Sequence, residues 1–162
     1  GICMYRVKYL VRSAIIAAIY AIVTYILEPV SYGPIQFRIS EALTILPLLD
    51  SAAIPGLFVG CLIANILGGL GPWDIYGGSL ITLAAAFFTS KMPNPILGAI
   101  PPVVFNAFGV SYYLSLLYSY PYWATVLTVG LGEALAVFGI GIPLYFAIKR
   151  TSLSRLFEKG NK

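Results

Sequence analysis

Hydrophobic residues fall in long blocks along this chain, with short polar joints between them, and no sustained alternation marks a strand-built fold. The first block runs from Tyr9 to Leu27, and a helix of that length reaches roughly 28 Å, about the thickness of one hydrocarbon core. Arg12 lies near its start, where a long side chain is expected to snorkel to the interface. Glu28, Pro29, Ser31, Tyr32, Gly33 and Pro34 close the block, because turn formers and a charge do not continue a lipid-facing helix. A second, shorter segment, Ile35 to Leu49, opens with Gln36, Arg38, Ser40 and Glu41, so it is expected inside the bundle. A third runs from Ala52 to Leu67 and a fourth from about Ile75 to Thr89. The fifth, Ile96 to Leu117, carries Pro101 and Pro102, which predict a kink. The sixth runs from about Trp123 to Ile148. The pattern predicts an all-α membrane protein: one domain over residues 1–162, built as a compact bundle of six transmembrane helices.

Composition supports the membrane reading. Apolar and aromatic residues make up 59% of the 162 residues and charged residues only 10%, where about 25% charged is usual for a soluble domain. Mean hydropathy is +0.89. The net charge is +4, but the basic residues gather at the two ends, with Arg6, Lys8 and Arg12 at one and Lys149, Arg150, Arg155, Lys159 and Lys162 at the other. Flanks of this kind suit juxtamembrane positions and exclude a nucleic-acid face. With six spans both termini are cytoplasmic, Lys91 falls on the same side, and Arg38 is the basic exception outside. Histidine is absent, which removes the commonest neutral-pH base and metal ligand. Cys3 and Cys61 have no metal-ligand spacing, so no metal site is expected.

The few polar residues inside the apolar blocks are the candidates for chemistry. Glu133 falls about ten residues into the sixth block, roughly 15 Å deep, where a carboxylate needs a partner, a wet cavity or a proton. Asn65 and Asn106 are unsuited to face lipid, since an unpaired amide in hydrocarbon costs several kcal/mol, roughly. Counted by depth, Arg38, Glu41, Asn65, Asp74, Asn106 and Glu133 can all border one cavity on the outer half. Trp73 and Tyr76 flank Asp74, where an aromatic face can stack on a planar heterocycle beside a carboxylate. For Arg38 and Glu41 a mutual ion pair, and for each Asn a helix-to-helix hydrogen bond, are the structural alternatives. The other outer aromatics, Tyr112 and Tyr113 among them, read as belt residues. Such a cavity suits a small, flat, hydrogen-bond-rich and potentially cationic solute, not a lipid or a phosphate.

In the first block Ala14 with Ala18, and Ala17 with Ala21, repeat a small-x-x-x-small spacing that permits close approach by another helix, in this chain or in a partner. No phosphate-binding loop is present, and neither is an internal repeat of the kind that builds alternating-access transporters. Solute capture by this chain, with ATP used by partner subunits and no cofactor of its own, is the economical division. A self-sufficient transporter or channel, an intramembrane lipid enzyme and a purely structural partner are the rivals.

The runs Phe37-Arg38-Ile39-Ser40-Glu41-Ala42-Leu43-Thr44 and Ala52-Ala53-Ile54-Pro55-Gly56-Leu57-Phe58-Val59-Gly60, continuing through Cys61 to Asn65, then Gly77-Gly78-Ser79-Leu80, Pro101-Pro102-Val103 with Asn106, and Val129-Gly130-Leu131-Gly132-Glu133, together resemble the queuosine-precursor transporter family. The resemblance covers about residues 8 to 150. It implies a six-helix substrate-binding (S) component of an energy-coupling factor (ECF) transporter, with a pocket on the outer side. It implies docking, through small residues of the first helix, on a transmembrane coupling protein that joins two cytoplasmic ATPases. Here that face would be Ala14, Ala17, Ala18 and Ala21. The implied cargo is a 7-deazaguanine such as its aminomethyl form. Glu133 or Asp74 would then meet the amine, Asn65 and Asn106 the base edges, Trp73 or Tyr76 the ring face, and Arg38 with Glu41 the entrance.

Overall fold

The computed structural model describes residues 1–31 and 37–157. Among them every regular element is helical. Helix α1 spans Ile2–Ile26, and a single turn, Glu28–Ser31, follows it. Ile39–Leu48 forms a 3₁₀ segment, α2 is Ala53–Leu67, and a π-helical turn, Trp73–Gly78, leads into α3, Ser79–Ser90. Two long helices follow, α4 over Pro95–Tyr118 and α5 over Tyr122–Arg150, and a 3₁₀ turn, Ser152–Arg155, comes after them. Each contains a π turn, Asn106–Val110 in α4 and Val137–Gly141 in α5.

Among the described residues three helices, α1, α4 and α5, are long and apolar enough to cross a membrane, not the six that the apolar blocks predict. Counting blocks overlooks how much length each backbone conformation delivers. The Ile39–Leu48 segment is ten residues, which at about 2 Å per residue in a 3₁₀ helix reaches roughly 20 Å. The 15 residues of α2 reach about 22 Å, well short of the roughly 30 Å core. The run from Trp73 opens on Asp74, Tyr76, Gly77 and Gly78, which dilute its apolar character before α3 begins. The cytoplasmic placement of both termini rested on the even number of spans and falls with it.

The multi-pass membrane character stands on the long helices and on what they expose. Ile15, Ile19, Ile22, Leu127, Leu131, Leu116 and Trp123 all face outward, a coat that water would not tolerate and lipid favours. Inside, α1 packs along α2 at unusually short range. A methyl built on Gly56 would lie 2.8 Å from the Ser13 carbonyl oxygen, and one on Gly60 would lie 2.9 Å from Tyr20 Cβ and 3.0 Å from the Ala17 carbonyl oxygen. Only glycine admits that approach. At the joint before α2, Arg12 does not snorkel outward. Its Nε lies 2.6 Å from Asp50 Oδ2, with the Asp50 side chain fully buried, and Ala52 N–H donates to Asp50 Oδ1 at 2.9 Å. Tyr9 and Ser13 hydroxyls donate to the carbonyls of Ser51 and Ala52 beside it. This polar knot ties α1 to the joint.

The prolines find places the backbone can absorb. Ala99 interrupts the first turns of α4 just before Pro101 and Pro102. In α5 the π turn Val137–Gly141 ends two residues before Pro143, whose missing N–H and ring would otherwise disturb a regular turn.

Candidate functional site

A small buried cavity forms where the 3₁₀ segment and helices α2 to α5 converge. Its wall includes Arg38, Glu41, Asn65, Asn106, Tyr113 and Glu133. The helices contribute to it in pairs four residues apart: Cys61 with Asn65 from α2, Gly78 with Thr82 at the start of α3, Asn106 with Val110 from α4, and Val129 with Glu133 from α5. In regular α-helix four-residue spacing places both members of a pair on one face, whereas Asn106 and Val110 open and close a π turn. The 3₁₀ segment, with three residues per turn, sets Glu41 in register with Thr44, and Arg38 precedes it in extended backbone. The cavity measures about 20 Å³, room for about one water.

Each acid is held by neighbours. The Tyr20 hydroxyl donates to Glu41 Oε1 from the middle of α1, and Tyr20 is fully buried. Thr44 Oγ1 donates to the Glu41 carbonyl at 2.6 Å, while Thr24 donates to the Tyr20 carbonyl and pairs with Ser40. On the opposite wall, Asn106 Nδ2 donates to the Pro102 carbonyl at 2.9 Å and to Glu133 Oε1 at 3.2 Å. The Glu41 and Glu133 side chains line the same cavity from facing walls, with room for about one water between them. Arg38 Nε donates to the Ser31 carbonyl at 3.4 Å. Arg38 stays a cation, because a guanidinium keeps its proton throughout the range in which proteins work.

Asn65 spends its amide hydrogens on the Asp74 carbonyl, at 2.7 Å, and weakly on Cys61 Sγ, at 3.6 Å. Its Oδ1 is buried and, among the described residues, receives no donor; neither does Glu41 Oε2. Both belong to residues of the cavity wall. A buried acceptor left without a donor is costly, about 1–3 kcal/mol, unless something entering the cavity supplies one. Such a site can accept hydrogen bonds from a planar donor-rich solute and balance one positive charge.

Of the residues singled out by sequence, the fold brings Arg38, Glu41, Asn65, Asn106 and Glu133 to this wall. Asp74 lies immediately behind it, accepting from Tyr113 OH at 2.9 Å. Trp73 and Tyr76 are not brought in: the π turn that buries Asp74 leaves them 57% and 67% exposed on the outer surface. The alanines of α1 divide. Ala17 and Ala21 are buried, Ala17 beside Gly60, whereas Ala14 and Ala18 face outward. Tyr32 and Gln36 lie outside the described residues. Sequence reasoning passed over Tyr20 and set Tyr113 among the belt aromatics. For Tyr20 the signal was a mid-helix hydroxyl that needs a partner; for Tyr113, beyond the π turn Asn106–Val110, regular helical spacing offered none. Among the described residues no group of His, Cys, Asp or Glu is placed to hold a metal ion.

A family model described as "QueT transporter" matches residues 10–150. The protein described as "Queuosine precursor transporter QueT" from Lactococcus lactis subsp. cremoris (strain MG1363) is 42% identical over 77 residues, a stretch covering 46% of this chain and 44% of that relative. No solved structure matches.

Proposed function

Since the chain belongs to the QueT transporter family, we propose that it binds a queuosine precursor within the membrane, a 7-deazaguanine such as the aminomethyl form, for uptake. Membership places it among transporters rather than enzymes. The observation that carries the solute reading is the wall itself: two acids, one guanidinium and two amides gathered from separate elements around one buried cavity. The donor edge of a guanine-like base matches the unpartnered Asn65 Oδ1, and an exocyclic ammonium matches the pair of acids. A bicyclic base is several times larger than the present cavity, so binding requires the wall to part. The relative from Lactococcus lactis, described as a queuosine precursor transporter, supports the same cargo.

The energy source is the second part of the proposal. We assign the chain the role of S component, docking through the exposed face of α1 at Ala14 and Ala18 on an ECF coupling protein served by two ATPases. Three spanning-length helices among the described residues are few for alternating access by one chain, and an outward pair of alanines permits close helix approach. A self-sufficient transporter is the second reading, favoured by family and relative descriptions that name a transporter and no partner. Titration of detergent-purified protein with deazapurines and pterins tests the cargo: tight binding of an unrelated acidic vitamin, and of no deazapurine, refutes it. Reconstituted uptake separates the two energy sources. ATP-driven uptake that needs the coupling proteins and fails in Ala14→Leu/Ala18→Leu supports docking, and uptake by the chain alone refutes it.

A further inference from the structure

We infer that Glu41 and Glu133 share one proton in the solute-free cavity and release it when a cationic solute enters, so that the chain takes up its ligand in exchange for a proton. The inference rests on the proposed reading of the cavity as the solute site and adds what sets its charge selectivity.

The geometry begins with two buried carboxyl groups, one from the 3₁₀ segment and one from α5, that line the same cavity of about 20 Å³. Glu41 Oε1 already takes the Tyr20 hydroxyl and Glu133 Oε1 the Asn106 amide. Glu41 Oε2 is buried and receives no donor among the described residues. Written as carboxylates, the two groups present acceptor to acceptor in a water-poor space, which charge repulsion and desolvation both oppose. One proton between them removes the repulsion and supplies the missing donor; carboxyl pairs in contact titrate as such a unit.

The surroundings offer no better solution. Facing the pair are Tyr20 from α1, Arg38 ahead of the 3₁₀ segment, Cys61 from α2, Thr82 from α3, and Asn106 and Tyr113 from α4. Asp74 is separated from the cavity by the Tyr113 hydroxyl it accepts. Among the described residues of the wall, Arg38 is the one cation. With one shared proton, the pair carries a single negative charge and Arg38 balances it. When an ammonium enters, a second negative charge is needed, and the proton leaves for water. Charge is conserved at each stage: cation in, proton out. A neutral solute has no such exchange and must bind beside the protonated pair.

The test uses the full chain in detergent, with aminomethyl-deazaguanine as the cationic probe and cyano-deazaguanine as the neutral one. Calorimetry in buffers of different ionisation enthalpy counts protons. The cationic probe should release about 0.5–1 proton per molecule bound, and its affinity should rise up to about tenfold per pH unit near neutrality, while the neutral probe shows neither. In Glu133→Gln and Glu41→Gln the amide supplies the donor that the proton supplied, and release by the cationic probe should vanish wherever binding persists. The infrared carbonyl band of a buried carboxylic acid reads the proton without any ligand. It should be present in the free protein, and absent from both variants and from the complex with the cationic probe. Binding of the cationic probe with no proton release overturns the exchange while leaving the solute reading intact, and so does absence of the acid band from the free protein. Failure of both probes to bind, with the acid band present, counts instead against the solute reading.

Discussion

Gly78 separates binding from stability in a single methyl group. Its backbone is ordinary right-handed helix, φ −60° and ψ −42°, so alanine fits without strain. Replacing glycine inside a helical run should stabilise by roughly 0.5–1 kcal/mol through the unfolded chain. The new methyl, however, would stand in the cavity wall, 3.3 Å from Asn65 Nδ2 and 3.4 Å from the Tyr113 hydroxyl. Those contacts are tight but bearable in the free protein. A bound solute has to lie against the same surface, and the overpacking then falls on the complex. Overpacking of about 1–3 kcal/mol converts to a loss of affinity of roughly 5- to 150-fold. Thermal unfolding and ligand titration on the same Gly78→Ala preparation measure both halves. Equal or higher Tm with weakened deazaguanine binding is expected; unchanged affinity would refute the placement of the solute against Gly78, Asn65 and Tyr113.

Other expectations follow from the scaffold. Gly60→Ala sets a methyl against the backbone of Ala17 and Cβ of Tyr20, and should destabilise by about 1–3 kcal/mol, read as a lowered Tm or a wider separation of α1 and α2 by spin-label distances. Asp50→Ala leaves Arg12 facing a buried gap and should destabilise by about 3–5 kcal/mol, with the double variant Arg12→Met/Asp50→Leu recovering much of the loss in thermal unfolding. Ser119 closes α4 in the left-handed region at φ 54°, so Ser119→Gly should raise stability by about 0.5–1 kcal/mol with solute affinity unchanged.

Much of the chemistry was legible because hydrocarbon makes polar residues conspicuous. Asn65, Asn106 and Glu133 stand out in apolar blocks, and the penalty for facing lipid already argues that they meet protein or water. Their convergence with Glu41 could not be read, because depth along an axis says nothing about rotation around it. Trp73 and Tyr76 illustrate this: adjacency to Asp74 suggested a stacking pair, but the π turn sends the acid inward and both rings out. The number of spans was misread for a different reason. Hydropathy reports what a segment can face, whereas reach depends on conformation, and Ile39–Leu48 with α2 use apolar sequence to line an interior. The Arg12–Asp50 pair escaped notice because its members belong to different elements, and each alone resembles an interfacial charge.

The π turn Asn106–Val110 carries a consequence for how relatives of this chain are compared. Such a turn holds one residue more than an α turn, and that extra residue rotates everything after it by about 100°. Tyr113, three residues past the turn, donates its hydroxyl to Asp74. A relative missing a single position between Asn106 and Val110 would keep its hydropathy profile and nearly all its identity, yet swing the tyrosine away from the acid. For this stretch, an indel of one outweighs many substitutions in judging whether two chains recognise the same solute.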